Sequence, residues 1–235
     1  MTVRIRRVTT TRAGGASAPP FDTFNLGDHV GDDPAAVAAN RARLAATIGL
    51  ADDHVVWMNQ VHGVHVEFVD GPRDTAFDAT DALVTATAGL ALAVVTADCV
   101  PVLLADARAG VVGAAHAGRV GAANGVLLRT LEAMVTAGAR VADVSVLLGP
   151  SVSGPNYEVP EEMAADVEER LPGSRTTTAR GTPALDLRAG LARQLTEAGV
   201  GSVEIDPRCT VEDRALFSHR RDAPTGRLAS LVWMP

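Results

Sequence analysis

The sequence predicts an α+β fold, with layered mixed β-sheets flanked by helices in a single compact domain spanning residues 1–235. Three observations predict it. Segments of strand character arrive in runs as well as alternating with helices, which argues against a purely parallel βαβ architecture. Hydrophobic residues make up 47% of the chain but aromatics only 3%, so the core must be built mainly from small and β-branched side chains. A chain of this length can bury such a core without covalent staples, and it carries only two cysteines, Cys99 and Cys209.

Taken in order, Val3 to Val8 reads as an opening strand, and Gly14 to Pro20 as a Gly-, Ser- and Pro-rich loop. A helix start follows, with Asp32 or Asp33 as cap and Pro34 at the first helical position. Val37, Leu44 and Ile48 then recur at helical spacing up to the stop at Gly49. Val55 to Met58, Val64 to Val69, Ala82 to Ala86, Leu90 to Ala97, Val100 to Ala105 and Val111 to Ala115 read as strands. The first long central helix is expected over Ala122 to Val135, with Val126, Leu127, Leu131 and Met134 on one face. A strand at Val144 to Leu148, helices at Pro160 to Leu171 and Leu187 to Ala198, and strands at Val203 to Ile205 and Leu228 to Met234 complete the chain. Asp186 is placed to cap the second of those helices and Gly199 to end it.

The formal net charge of −7 excludes a general nucleic-acid or membrane-surface binder, because both need a basic face to neutralise phosphate. It leaves room for a local basic pocket. The basic N-terminal stretch has no apolar segment after it and does not read as a secretory signal. With the sparse cysteines this predicts a reducing, cytoplasmic setting. The most apolar stretch, Gly89 to Ala105, is short for a membrane span and holds Asp98 in its middle, so it is expected to form two buried strands around a functional bend.

Three segments each put a metal-capable side chain at or near the end of an apolar strand: Asn59-Gln60-Val61-His62-Gly63, Thr96-Ala97-Asp98-Cys99 and Ala115-His116-Ala117-Gly118-Arg119. One thiolate and two imidazoles suit zinc, and three protein ligands leave a fourth tetrahedral position for water or substrate. Spacing alone also allows Cys99 to be an ordinary buried cysteine and the histidines to be satisfied by hydrogen bonds, since no CxxC or HExxH signature is present. A metal-free Cys99–His116 nucleophile and base is a further alternative.

These motifs also carry a resemblance. NQVHG, TADCVPVLL, GAAHAGR, LGPSVSGPNYEV and CTVEDRALFSHRRDAPTGRLASLVWM, with FNLGDHVGDDPAAVAANRARL near the start, resemble the laccase-domain family, also called multicopper polyphenol oxidoreductases, over nearly the whole chain in order. The resemblance implies one catalytic domain over 1–235, a zinc site at His62, Cys99 and His116, and phosphorolysis of adenosine, inosine and methylthioadenosine, with adenosine deamination as an additional activity. The laccase label would imply copper instead. Some bacterial relatives resemble peptidoglycan editing factors, which implies an amide-bond substrate for a Cys-His hydrolase. The chain departs from the common pattern at Arg119-Val120-Gly121, where many relatives carry Trp-Arg-Gly, and at Asn156, where a small residue or cysteine is familiar.

The partners so implied are a purine nucleoside and phosphate. Phosphate calls for forked cationic donors, and the motifs supply Arg41, Arg119, Arg220, Arg221 and Arg227, with Arg119 and Arg220 the leading candidates. Asn25 and Gln60 are candidate hydrogen-bonding contacts to substrate. No Glu adjoins His62 or His116, so Asp98 or a water would have to move the proton in a deamination. A regular strand would point Asp98 away from Cys99, and Cys209 is expected to pack in the interior.

Overall fold

The structure is a computed structural model that describes residues 2–235. Its strands are β1 (Arg6–Thr9), β2 (Val55–Val56), β3 (Val66–Phe68), β4 (Ala82–Thr85), β5 (Ala91–Thr96), β6 (Val100–Asp106), β7 (Val111–Ala117), β8 (Ser145–Leu148), β9 (Arg175–Thr177), β10 (Pro183–Leu185), β11 (Ser202–Ile205) and β12 (Leu228–Trp233). Its helices are α1 (Pro34–Ile48), α2 (Arg119–Ala123), α3 (Val126–Thr136), α4 (Glu161–Arg170), α5 (Leu187–Glu197) and α6 (His219–Asp222). The expected α+β class is the one observed.

The strands form a four-stranded sheet in the order β1-β12-β5-β2, a six-stranded sheet in the order β11-β8-β6-β7-β4-β3, and the β9–β10 pair. The two large sheets share a layer, because side chains alternate across each strand. On β5, Leu92 and Val94 meet Leu83, Leu103, Val112 and Ala114 of the other sheet. Ala91, Ala93 and Val95 point the opposite way, toward Leu44 and Ala45 of α1 and Trp57. Val100, Val102 and Leu104 of β6 face Leu127, Leu131 and Met134 of α3 and Leu191 and Leu195 of α5. Helix, sheet, sheet, helix is therefore the layer order. Both central sheets are covered on both faces, which is why β5, β6 and β7 are buried at every position and read as continuous apolar runs.

Three expectations need correction. The helix foreseen over Ala122 to Val135 is two helices, starting earlier at Arg119 and broken at Asn124-Gly125, where Gly125 turns left-handed at φ 85°. The opening strand starts at Arg6, not Val3, because the Val3 N–H instead donates to the Ala107 carbonyl at 2.8 Å. β9, β10 and the one-turn α6 are additional to the expected elements, being three or four residues long with no periodicity to display. Helix α1, by contrast, starts as expected: the Asp33 side chain accepts from Ala35 N and Pro34 occupies the first turn.

Neighbours in sequence, β5 and β6 belong to different sheets. The chain crosses between them in three residues, Ala97, Asp98 and Cys99. β6 and β7 are antiparallel with Val100 opposite Ala117 and Pro101 opposite His116, so the crossing and the end of β7 lie at one edge of the layers.

The layer between the sheets sets the stability of this arrangement. Leu103→Ala, at a fully buried position there, is expected to cost about 2–5 kcal/mol. Leu128→Ala, on the exposed side of α3, should stay within about 0.5 kcal/mol. Urea unfolding of both variants checks this, and equal losses would refute the layer assignment.

Candidate metal and substrate site

The site is assembled around the carboxylate of Asp81, which is fully buried just before β4. Its Oδ2 accepts the backbone N–H groups of Val61 (3.2 Å) and Gly63 (2.7 Å), and its Oδ1 accepts that of His62 (3.0 Å). Successive N–H groups converging on one anion form a compact nest, and His62 is held within it at φ 61°, a left-handed conformation that costs a non-glycine residue about 1–3 kcal/mol. Asp81 Oδ1 also accepts from His116 Nδ1 at 2.8 Å. Burial alone would raise the Asp81 carboxyl, but the His116 ring and the N–H groups of Gly63 and Val61 hold it below the usual carboxylate range. With Nδ1 committed to Asp81, His116 has Nε2 left for other work.

Cys99 arrives through the sheet crossing. Asp98 stands at φ 93°, so the chain bends at this point and the alternation expected of a regular strand does not apply. The bend is locked by the Asp98 carboxylate, which accepts from Thr210 Oγ1 (2.6 Å) and Arg220 N (2.7 Å). Cys99 Sγ then lies 3.8 Å from His62 Nε2, and one ligand atom each from His62, Cys99 and His116 fall within 4.8 Å of one another. The two imidazoles meet edge to face at 4.7 Å. His116 is buried, Cys99 half-buried and His62 exposed, so the cluster is open on one side.

Gly118 completes the cluster by what it lacks. A Cβ there would stand 2.6 Å from His62 Cδ2, 3.2 Å from Cys99 Sγ and 3.4 Å from His116 Cε1. Electrostatically the three groups are coupled. Burial pushes the Cys99 thiol up, yet the neighbouring His116 and His62 bring it down to about 6. Burial likewise disfavours the His116 cation, and Asp81 and Cys99 outweigh it, raising the ring to about 9. A thiolate and two imidazoles around one point are the donor set of an open zinc site, and Asp81 on the far nitrogen of His116 is the support that metal-binding histidines commonly have.

Two cavities meet here, sharing Ala97, Cys99 and His219. The larger, about 340 Å³, is walled by Val152, Tyr157 and Leu187, with Asp98, Arg119 and Arg220 at its polar side. The Arg220 guanidinium lies 4.9 Å over the Tyr157 ring, and its Nη1 donates to the Glu158 carbonyl at 3.1 Å. The smaller, about 230 Å³, takes in His62 and His116 together with His29, Gln60, Thr96 and Arg227.

The residues expected to contact substrate divide accordingly. Arg119 and Arg220 line the larger cavity. Gln60 lines the smaller, but its amide is engaged twice with Val95, donating to the carbonyl and accepting from the N–H at 2.8 Å each, which ties the His62 loop to the end of β5. Asn25 lines neither cavity. It is fully buried, its Nδ2 donating to Gly27 O and Asp32 Oδ2 and its Oδ1 accepting from Gly27 N and Arg227 N. Arg41 is bound to the Leu26 carbonyl and Asp28, and Arg221 to a run of carbonyls from Thr210 to Leu216. Cys209 is buried, its sulfur accepts from Ser153 and Asn156, and it is not among the grouped metal-capable residues. Asp81 and Tyr157 were not foreseen; the one available signal for Asp81 is an acidic residue directly before an apolar strand, which many structural aspartates share.

Residues 6–235 match the multi-copper polyphenol oxidoreductase laccase family. A purine nucleoside phosphorylase of Mycobacterium tuberculosis is 74% identical over 234 residues, covering all of this chain and 94% of its own length. A purine nucleoside phosphorylase of Corynebacterium glutamicum is 57% identical over 233 residues, covering 98% and 95%. Among solved structures, the hypothetical protein YfiH of Bacillus licheniformis aligns with a TM-score of 0.92 at 33% identity, over 98% of this chain and 93% of its own. YlmD of Geobacillus stearothermophilus aligns with a TM-score of 0.87 at 36% identity, over 98% and 92%. With a family match running from β1 to the last residue and relatives this similar over nearly all of their lengths, the chain belongs to the multi-copper polyphenol oxidoreductase laccase family.

Proposed function

We propose that this chain is a zinc-dependent purine nucleoside phosphorylase acting as one catalytic unit over residues 1–235, with adenosine, inosine and methylthioadenosine as substrates and adenosine deamination as an additional activity. The observation that carries the reading is the convergence of His62, Cys99 and His116 where two cavities meet. The names of the relatives support the reaction class. The donor set and the side-chain-free space at Gly118 fit a metal held by those three residues. Zinc bound there would supply Lewis-acid stabilisation of developing negative charge and an acidified water.

The chain's own groups account for the rest. In phosphorolysis a phosphate oxygen bonds to C1′ of the sugar as the bond to the purine nitrogen breaks. The electron pair leaves with the base, and the proton given up by hydrogen phosphate ends on the base. The larger cavity suits the nucleoside, with Tyr157, Leu187 and Val152 as apolar walls for a purine and Arg119 and Arg220 as donors at its edge. Asp98 and His219 also line that cavity, and Asp98 is the carboxylate a deamination would call on.

A second reading is a metal-free hydrolase acting on an amide bond, with Cys99 as nucleophile and His116 as its base, and its geometric support is that the Cys99 sulfur and a His116 ring nitrogen lie within 4.8 Å of each other. Metal analysis and turnover separate the two. The purified chain should hold close to one zinc rather than copper, and release base and ribose 1-phosphate from adenosine only when phosphate is present. Chelation should abolish turnover; full activity after chelation, lost on thiol alkylation, would select the hydrolase. Cys99→Ser should lose both metal and turnover while Cys209→Ser keeps both. Asp81→Asn should weaken zinc binding about 10–100-fold in competition with a chromophoric chelator. A variant that binds zinc as tightly as the parent would remove Asp81 from the site.

A further inference from the structure

Among the described residues, Arg227 is a cation without a counter-charge. It lies directly before β12 and lines the smaller cavity together with His62 and His116, and no carboxylate oxygen lies within 4.0 Å of its guanidinium among the described residues. Its Nη1 donates to the carbonyls of Thr225 (2.9 Å) and Gly226 (3.1 Å), while Nε and Nη2 have no protein acceptor among the described residues. Burial lowers its pKa, with the more distant Cys99 and Asp98 opposing. Arg227 is half-buried at the cavity, and a partly desolvated guanidinium with an open donor edge favours an anion as its partner.

The surroundings are built to hold it there. Asn25 Oδ1 accepts the Arg227 N–H at 2.8 Å. A Cβ on Gly27 would come within 2.6 Å of Arg227 Cγ, so the missing side chain at Gly27 is what lets the arginine stem lie across that loop. The fully buried amide of Asn25, expected from sequence to touch substrate, instead fixes the residue that faces the cavity. His29 and His219 line the same cavity, and the Asp28 carboxylate is engaged by Arg41 at 3.2 Å with the His29 ring 3.6 Å away.

We propose that the smaller cavity is the phosphate subsite, with the Nε–Nη2 edge of Arg227 as its forked donor, in place of the Arg119 and Arg220 expected from sequence. This rests on the phosphorylase reading. The two cavities share Cys99 and His219, so a nucleoside in the larger one and phosphate in the smaller one meet beside the His62–Cys99–His116 cluster. Bidentate recognition by a planar fork is what phosphate favours and what a lysine cannot reproduce.

The test uses the full-length, metal-loaded chain and inorganic phosphate. Arg227→Gln should raise the KM for phosphate at least ten-fold while leaving the KM for adenosine within two-fold, and Arg227→Lys should recover part of the loss. Arg119→Gln should do the reverse, raising the KM for adenosine. Independently of turnover, phosphate should raise the Tm of the parent, as any ligand specific for the folded state does, and fail to raise that of Arg227→Gln. An unchanged phosphate KM in a folded Arg227→Gln chain, or a Tm response abolished by Arg119→Gln instead, overturns the assignment. A parent chain that releases no base, yet shows the Arg227-dependent Tm response, would sink the phosphorylase reading and leave the anion site standing.

Discussion

One buried carboxylate organises the cluster of His62, Cys99 and His116 and the loop that carries His62. Asp81 gathers three consecutive backbone N–H groups from the His62 loop and the Nδ1 of His116 onto two oxygens, inside a layer where an unpaired charge would be prohibitively unfavourable. It therefore fixes both the position of one imidazole and the tautomer and direction of the other. Without it the left-handed backbone at His62 has no compensation, and the two histidines lose their common reference point.

The third member of the cluster is delivered by the sheets. β5 and β6 are consecutive yet lie in different sheets, so three residues must carry the chain across the gap between layers. That crossing is tight enough to force Asp98 to positive φ, and it leaves Cys99 at the edge where both sheets end. The poverty in aromatic residues fits this architecture. Two sheets covered on both faces are filled by Ala, Val and Leu at near-continuous density, and the few aromatics are left for particular tasks such as the Tyr157 wall.

Charge is distributed by the same logic. The chain is acidic overall, yet among the described residues Arg119, Arg220 and Arg227 have no carboxylate within 4.0 Å around two adjoining cavities. The remaining arginines of the same motifs, Arg41 and Arg221, look identical in sequence but serve as braces across backbone carbonyls. An arginine's role is set by whether its fork is already filled, and this depends on which loop it is folded against.

Much was legible from the chain by itself. The α+β class, helix α1 with its Asp33 cap and Pro34, the apolar runs of β5, β6 and β7, and the three metal-capable residues at strand ends all follow from local rules of periodicity, capping and composition. What local rules could not supply is long-range pairing. Asp81 is 35 residues from His116 and 19 from His62, and nothing in its own neighbourhood marks it as their common acceptor. Asn25 reaches Arg227 across 202 residues, turning a presumed substrate contact into a support. Sequence determined which side chains were available and which strands would be buried; only the tertiary structure decided which polar atoms were already satisfied, because a hydrogen bond uses up its donor and acceptor wherever along the chain they come from.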